Sequence, residues 1–221
     1  MSGIVVRWTA ERLPLADASV DMVFTDPPYG TRWLHTYGWV AREAARLLKP
    51  GGFVAVMTGV NNLDRIFRWF AEAGLMYYGL YNLYLGASHT GVVWRSAPGR
   101  KSMPIGVRLR PVLVFSKGAA VSRTPTVNLV YPGRDDKRWH RWGQAVGAHR
   151  YFIDCFTGPG DLVVDPMCGG GTTAVACELL GRRWVVGDID PSAVERTARR
   201  LSGGAAAVIT DLPLFAGVAA K

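Results

Sequence analysis

The chain has 221 residues, 49% of them hydrophobic, which suits one domain with a substantial core. Lys and Arg number 26 against 17 for Asp and Glu, and the formal charge of +9 favours a polyanionic partner over an arginine-rich but purely solvating surface. Cys155, Cys168 and Cys177 show neither C-x-x-C spacing nor clustering with the four histidines, so no disulfide framework and no metal site is expected. Met1 to Trp8 lack the apolar core of a signal peptide and no run is long enough to span a bilayer, which predicts a soluble, cytoplasmic protein without a membrane partner.

Ile4 to Trp8 is a short β-rich run, and Leu13 to Ser19 is a loop leading into a buried strand, Val20 to Thr25. Asp26-Pro27-Pro28-Tyr29 ends that strand in a stiff turn, because proline fixes φ and lacks an N–H. Trp33, Tyr37, Val40, Ala44 and Leu47 recur at helical spacing, and Lys49-Pro50-Gly51-Gly52 is expected to stop that helix. Phe53 to Met57 reads as a parallel strand. A helix capped by Asn61 or Asn62 carries Leu63, Ile66, Phe67 and Phe70 and ends at Gly74, before a strand from Leu75 to Leu85.

From Gly86 the alternation lapses. Gly86 to Arg110 carries Arg95, Arg100, Lys101, Arg108 and Arg110 without one acid, and Pro98, Gly99, Pro104 and Gly106 oppose regular structure. Pro111 to Phe115 is one more strand. Ser116 to Gly143 is again irregular and contains Arg134, Lys137, Arg138 and Arg141 among Trp139, His140 and Trp142. Cations interleaved with tryptophans suit phosphates and stacked bases, or equally a solvated loop anchored by its aromatics.

The alternation resumes with a helix around Gln144 to Phe156, the strand Leu162 to Asp165, a glycine turn, a helix closed by Gly181, the strand Trp184 to Gly187 and a last helix from Pro191 to Leu201. The Ala/Gly-rich tail after Ser202 holds a short Val208-Ile209 run, and no internal repeat is present. The fold class is therefore α/β, with residues 1–221 as one domain and 86–143 as an insertion within it.

Gly169-Gly170-Gly171-Thr172-Thr173-Ala174 matches G-x-G-x-x-A between a strand and a helix, with Asp188 at the end of the next strand. Glycines let the backbone approach a ligand, and an acid so placed can accept hydrogen bonds from a ribose. Such a pattern points to an adenosine-containing cofactor, either a dinucleotide or S-adenosylmethionine. No Lys follows the glycines, which opposes a P-loop.

Asp165-Pro166-Met167-Cys168-Gly169-Gly170-Gly171-Thr172-Thr173 resembles the D-P-F-x-G-S/G-G-T-T cofactor motif of the amino-group DNA methyltransferases, and Asp26-Pro27-Pro28-Tyr29 is similar to their catalytic D-P-P-Y. Catalytic motif first and cofactor motif near the C-terminus resembles the circularly permuted beta class of bacteria and phages. Leu48-Lys49-Pro50-Gly51-Gly52, Arg110 to Lys117 and Gly158-Pro159-Gly160-Asp161 extend the similarity over most of Val5 to Leu201. The chain differs from the pattern at Trp8-Thr9, where many members have Gly-Asp, at Met167, where Phe is usual, and at the start of the helix before the cofactor strand, where Trp142-Gly143-Gln144 and His149-Arg150 stand and the common Lys-Pro is absent.

The resemblance implies a Rossmann-like methyltransferase fold, S-adenosylmethionine as the methyl donor and double-stranded DNA as the partner; a homodimer is compatible with it. It implies restriction-modification as the setting and base flipping as the access route. Asp26 and Pro27 would hold the target amino group, with Pro28 stiffening the turn and Tyr29 stacking on the base. Thr9, Asp165, Pro166, Met167, Gly169, Gly171, Thr172 and Asp188 would line the cofactor site, and Arg95, Arg100, Lys101, Arg134, Lys137, Arg138 and Arg141 would meet DNA. Asp at the first motif position favours adenine N6, with cytosine N4 as the alternative. A non-catalytic DNA-binding protein with a degenerate cofactor site is the reading from another class. An NAD-dependent oxidoreductase would leave the first motif without a purpose.

Overall fold

The computed structural model describes residues 3–84, 92–93, 104–105, 109–124, 126–133, 144–202 and 206–209, with 92–93, 104–105 and 206–209 as backbone only. The strands are β1 (Gly3–Arg7), β2 (Val20–Thr25), β3 (Leu48–Met57), β4 (Met76–Tyr84), β5 (Val92–Val93), β6 (Pro104–Ile105), β7 (Leu109–Ser116), β8 (Leu129–Val130), β9 (Leu162–Asp165), β10 (Arg183–Asp188) and β11 (Ala206–Ile209). The helices are α1 (His35–Leu47), α2 (Leu63–Glu72), α3 (Val146–Phe156), α4 (Thr172–Leu180) and α5 (Pro191–Leu201).

Among the described residues one sheet runs β11-β1-β10-β9-β2-β3-β7-β4-β8, and β5 pairs with β6 by itself. The pairs from β11 through β3 are all parallel, whereas β7 is antiparallel to both β3 and β4. Side-chain alternation splits the core into two layers. Phe53, Ala55 and Met57 of β3 pack with Phe152 and Ile153 of α3, Ala176 of α4 and Val194 of α5, while Val54 and Val56 pack with Val40, Ala44 and Leu47 of α1 and Ile66 and Phe70 of α2. The continuous apolar strands are therefore covered on both faces, as parallel sheets require. No described helix is long and apolar enough to cross a membrane.

Several local expectations are corrected. Lys49-Pro50-Gly51-Gly52 lies inside β3, where the Gly51 N–H donates to the Lys117 carbonyl at 2.7 Å; helix α1 ends without those glycines. Trp33 precedes α1 and is 39% exposed, with the Arg32 guanidinium 4.8 Å from its ring centroid, so the buried face begins with Leu34 and Tyr37. Asn62 takes φ 60° before α2 and its side chain makes no capping bond. Segment 86–110 contains the β5–β6 pair, and Arg110 belongs to β7. In the tail, Ala206–Ile209 adds a strand beside β1.

Candidate active site

The site lies where strand order changes direction. From β9 the chain moves through α4 to β10 on one side, and from β2 through α1 to β3 on the other, so β2 and β9 are parallel neighbours whose carboxyl ends open a crevice. The register Met22↔Val163 and Val23↔Val164 sets the turn after Thr25 beside the turn after Asp165. Asp26-Pro27-Pro28-Tyr29 and the glycine turn thus become neighbours. The Thr25 hydroxyl lies close enough to the Asp165 carboxyl to favour its ionised form, without regular hydrogen-bond geometry.

Asp26 is half-buried, Pro27 buried and Pro28 exposed. Two donors converge on the Asp26 carboxylate. The Tyr29 hydroxyl donates to Oδ1 and the Gln144 amide donates to Oδ2 at 2.8 Å. Arg110 in turn donates to Gln144 Oε1, and its guanidinium stands 5.6 Å from the Tyr29 ring centroid. Enclosure of the Tyr29 hydroxyl, reinforced by the Asp26 carboxylate, pushes that phenol well above its ordinary range, so it remains a donor. Tyr29 as a residue is still 41% exposed. Tyr29 is thus partly open to solvent while its hydroxyl is tied to Asp26.

The glycine turn is braced from within. Asp165, 3% exposed, accepts the Met167 N–H at 3.1 Å and the Thr173 hydroxyl at 2.5 Å. Burial raises its carboxyl to about 7 despite those bonds. Gly169 and Gly171 have φ of 52° and 72°, conformations that favour glycine. A Cβ on Gly171 would stand 2.5 Å from Thr197 Cγ2, so that glycine admits α5 rather than a ligand, which corrects the expected reason for it. Arg200 donates to the Gly170 carbonyl at 2.8 Å and to the buried Thr172 hydroxyl at 3.2 Å, fastening the turn to the last helix.

Asp188 sits at the end of β10, half-buried, and accepts the Gly169 N–H and the Asp190 N–H, both at 3.0 Å. An ionised carboxylate keeps further acceptor capacity beyond those two bonds. Met167 is half-buried against the apolar layer that includes Val164 and Val23. An acid beside a positive-φ glycine turn, with an adjacent apolar methionine, fits an adenosine-bearing sulfonium ligand. Thr9 is exposed; the neighbouring Trp8 reaches into this region, its indole donating to the Pro166 carbonyl at 3.0 Å and filling the space that a Cβ on Gly187 would need.

Arg95, Arg100, Lys101, Arg134, Lys137, Arg138 and Arg141 lie outside the described residues. Sequence reasoning missed Gln144, Arg110, Trp8 and Arg200. Gln144 carried one signal, its place at the start of the expected helix Gln144 to Phe156, where the Lys-Pro common in the resembled family is absent; the helix itself begins at Val146. Arg110 had the appearance of one more basic loop residue until β7 placed it beside Tyr29.

Residues 146–199 match the N6/N4 DNA methylase family model, and residues 2–56 match a methyltransferase-domain model. YubD of Escherichia coli (strain K12) is 26% identical over 181 residues, spanning 76% of this chain and 75% of that protein. The type II methyltransferase M.HpaI of Haemophilus parainfluenzae is 22% identical over 219 residues, 85% of this chain and 69% of that one. In structure, the M1.HpyAVI complex with S-adenosylmethionine superposes with a TM-score of 0.70 at 22% identity, covering 90% of this chain and all 100% of the other. The cytosine-N4-specific PvuII DNA methyltransferase gives 0.69 at 18% identity over 90% and 86%. The two matched segments carry the glycine turn and Asp26-Pro27-Pro28-Tyr29, and with the DNA methyltransferase relatives they support S-adenosylmethionine-dependent DNA methylation.

Proposed function

We infer that the chain methylates the N6 amino group of adenine in double-stranded DNA, as a permuted enzyme of the D-P-P-Y type in a restriction-modification setting. The observation that carries this reading is the placement of Asp26-Pro27 beside the Asp165–Thr173 turn at the carboxyl ends of adjacent parallel strands.

An exocyclic amino group is a weak nucleophile because its lone pair is delocalised into the ring. The Asp26 carboxylate and the Pro27 carbonyl are acceptors for its two N–H groups, an arrangement that favours a tetrahedral nitrogen with the lone pair free to attack. Proline contributes a carbonyl at a stiff angle without an N–H of its own. S-adenosylmethionine supplies an activated methyl on a sulfonium, so positioning accounts for much of the rate. Asp188 would hold the ribose, and the Asp165-braced turn with Met167 would seat the rest. Tyr29, released from Asp26, would stack on the flipped base.

The basic segments on either side of β7, 86–108 and 117–143, are assigned to target recognition, supported by their position between the two motifs and by their charge. Asp rather than Ser at the head of the catalytic motif supports adenine. Cytosine N4 is the second reading, supported by the fold shared with a cytosine-N4-specific enzyme. Transfer of labelled methyl from S-adenosylmethionine to DNA, followed by nucleoside analysis, tests both. N6-methyladenine is expected; N4-methylcytosine would reassign the base, and no labelled nucleoside would remove the reading.

A further inference from the structure

We propose that Gln144 reads the target base directly. With Asp26 it forms a paired donor and acceptor for an amino group and the unprotonated ring nitrogen next to it. The proposal rests on the chain being a DNA amino methyltransferase and deepens that reading to the chemistry of the base edge.

The orientation of the Gln144 amide follows from its neighbours. Arg110 donates to Oε1, and a guanidinium can only donate; Asp26 Oδ2 lies 2.8 Å from Nε2 and, as a carboxylate, can only accept. Reversing the amide would break both hydrogen bonds, so the NH2 group faces Asp26. Arg110 is itself held by β7, where it pairs with Leu83 of β4, and its guanidinium stands by the Tyr29 ring. Gln144 lies two residues before α3, whose buried residues Ala148, Phe152 and Ile153 anchor it against the sheet. The amide is therefore braced at both ends before any base arrives.

An NH2 group carries two hydrogens, and only one is directed along the bond to Asp26. The second is not spent on that bond and is the one assigned to the base. A base whose amino group donates to Asp26 places its adjacent ring nitrogen next to that carboxylate, on the Gln144 side. Adenine and cytosine both present this amino and bare-nitrogen edge, and extruded bases are commonly read on it. Guanine and thymine present there a carbonyl oxygen beside a ring N–H. Those would set oxygen against carboxylate and N–H against N–H, a mismatch that leaves buried polar groups unpaired. Gln144 thus selects amino bases as a class, whereas the choice between adenine and cytosine falls to the remainder of the pocket.

A residue that only held Asp26 in place would lower the rate on every base alike. Direct reading instead couples Gln144 to one ring atom of the substrate. The methylated sequence is first identified by sequencing DNA from an expressing host. Duplexes are then made with the target base intact, or with its ring nitrogen replaced by C–H, as in 1-deazaadenine or 3-deazacytosine. Single-turnover rates are compared for the wild type, Gln144→Leu and the similar-sized Gln144→Glu, with cofactor binding by calorimetry as the check on folding.

The wild type should lose about 10- to 100-fold on the deaza duplex. Both variants should lose a similar amount on the natural duplex and little more on the deaza one. An equal deaza penalty in the wild type and in both variants overturns the role of Gln144 while leaving the methyltransferase reading intact. A wild type that labels no DNA overturns that reading and this proposal together.

Discussion

The backbone N–H of Leu162 donates to the Asp21 carboxylate at 2.9 Å, across 141 positions of sequence. The same carboxylate accepts Lys49 Nζ at 2.8 and 2.9 Å, so the foot of β2 is tied to β3 and to β9 at once. This anchors the register that sets Asp26 beside the glycine turn at the opposite end of the strands. Asp21→Ala should lower unfolding free energy by about 1–3 kcal/mol, since it strips an acceptor from a half-buried N–H and leaves Lys49 unpaired. Urea denaturation checks this, and an unchanged midpoint would show that strand packing alone holds the register.

Asp26 is expected to serve methyl transfer and not donor binding. Asp26→Ala should reduce the transfer rate by at least about 100-fold, with S-adenosylmethionine affinity in calorimetry close to that of the wild type. Transfer at the native rate would eliminate its assigned role.

Asp188 should show the converse. Removing a carboxylate that accepts charge-assisted hydrogen bonds from a ribose should weaken S-adenosylmethionine binding by about 10- to 100-fold in Asp188→Ala. Asp188→Asn, which can still accept the Gly169 and Asp190 N–H groups, should retain the melting temperature better than Ala. Unchanged donor affinity in both variants would dissociate Asp188 from the cofactor.

Two buried groups predict opposite pH effects on stability. Burial raises the Asp165 carboxyl from 3.8 to about 7, so the native state binds the extra proton across that window; its contribution, complete below about pH 4, is lost as pH rises through 7. His149, 4% exposed and edge-on to Phe24, is depressed by burial from 6.5 to about 3. There the unfolded state binds the extra proton, and stability is lost as pH falls below 6.5. Unfolding free energies at pH 4, 5.5 and 7 should show Asp165→Asn removing a decline toward neutrality and His149→Met removing a decline toward acid. Parallel profiles for both variants and the wild type would refute the assignment.

Arg138 and Arg141, in the stretch assigned to target recognition, should bind phosphates. Their joint replacement by Glu should weaken DNA binding and flatten its salt dependence, with the slope of log K against log salt falling by about 0.9 for each phosphate that is no longer neutralised. Fluorescence anisotropy with a labelled duplex measures this, and unaltered affinity would move the DNA surface elsewhere.

The local chemistry of the site was largely legible in one dimension. A strand that ends in Asp26-Pro27-Pro28-Tyr29 must turn at its acid, and a strand followed by Gly169-Gly170-Gly171 and a helix must turn sharply there, because proline fixes φ and glycine permits conformations other residues avoid wherever they stand. The alternating apolar runs likewise announced a covered parallel sheet. Spacing could not reveal which distant side chains meet. Only the pairing of β2 with β9 made neighbours of Asp26 and the turn braced by Asp165, and only β7 and the segment before α3 brought Arg110 to Gln144 and Gln144 to the Asp26 carboxylate. Trp8 filling the space beside Gly187 and Thr197 filling the space at Gly171 are facts of the same kind. Backbone preference is local and can be read residue by residue, whereas a donor finds its acceptor through strand register and helix packing, which the folded chain alone establishes.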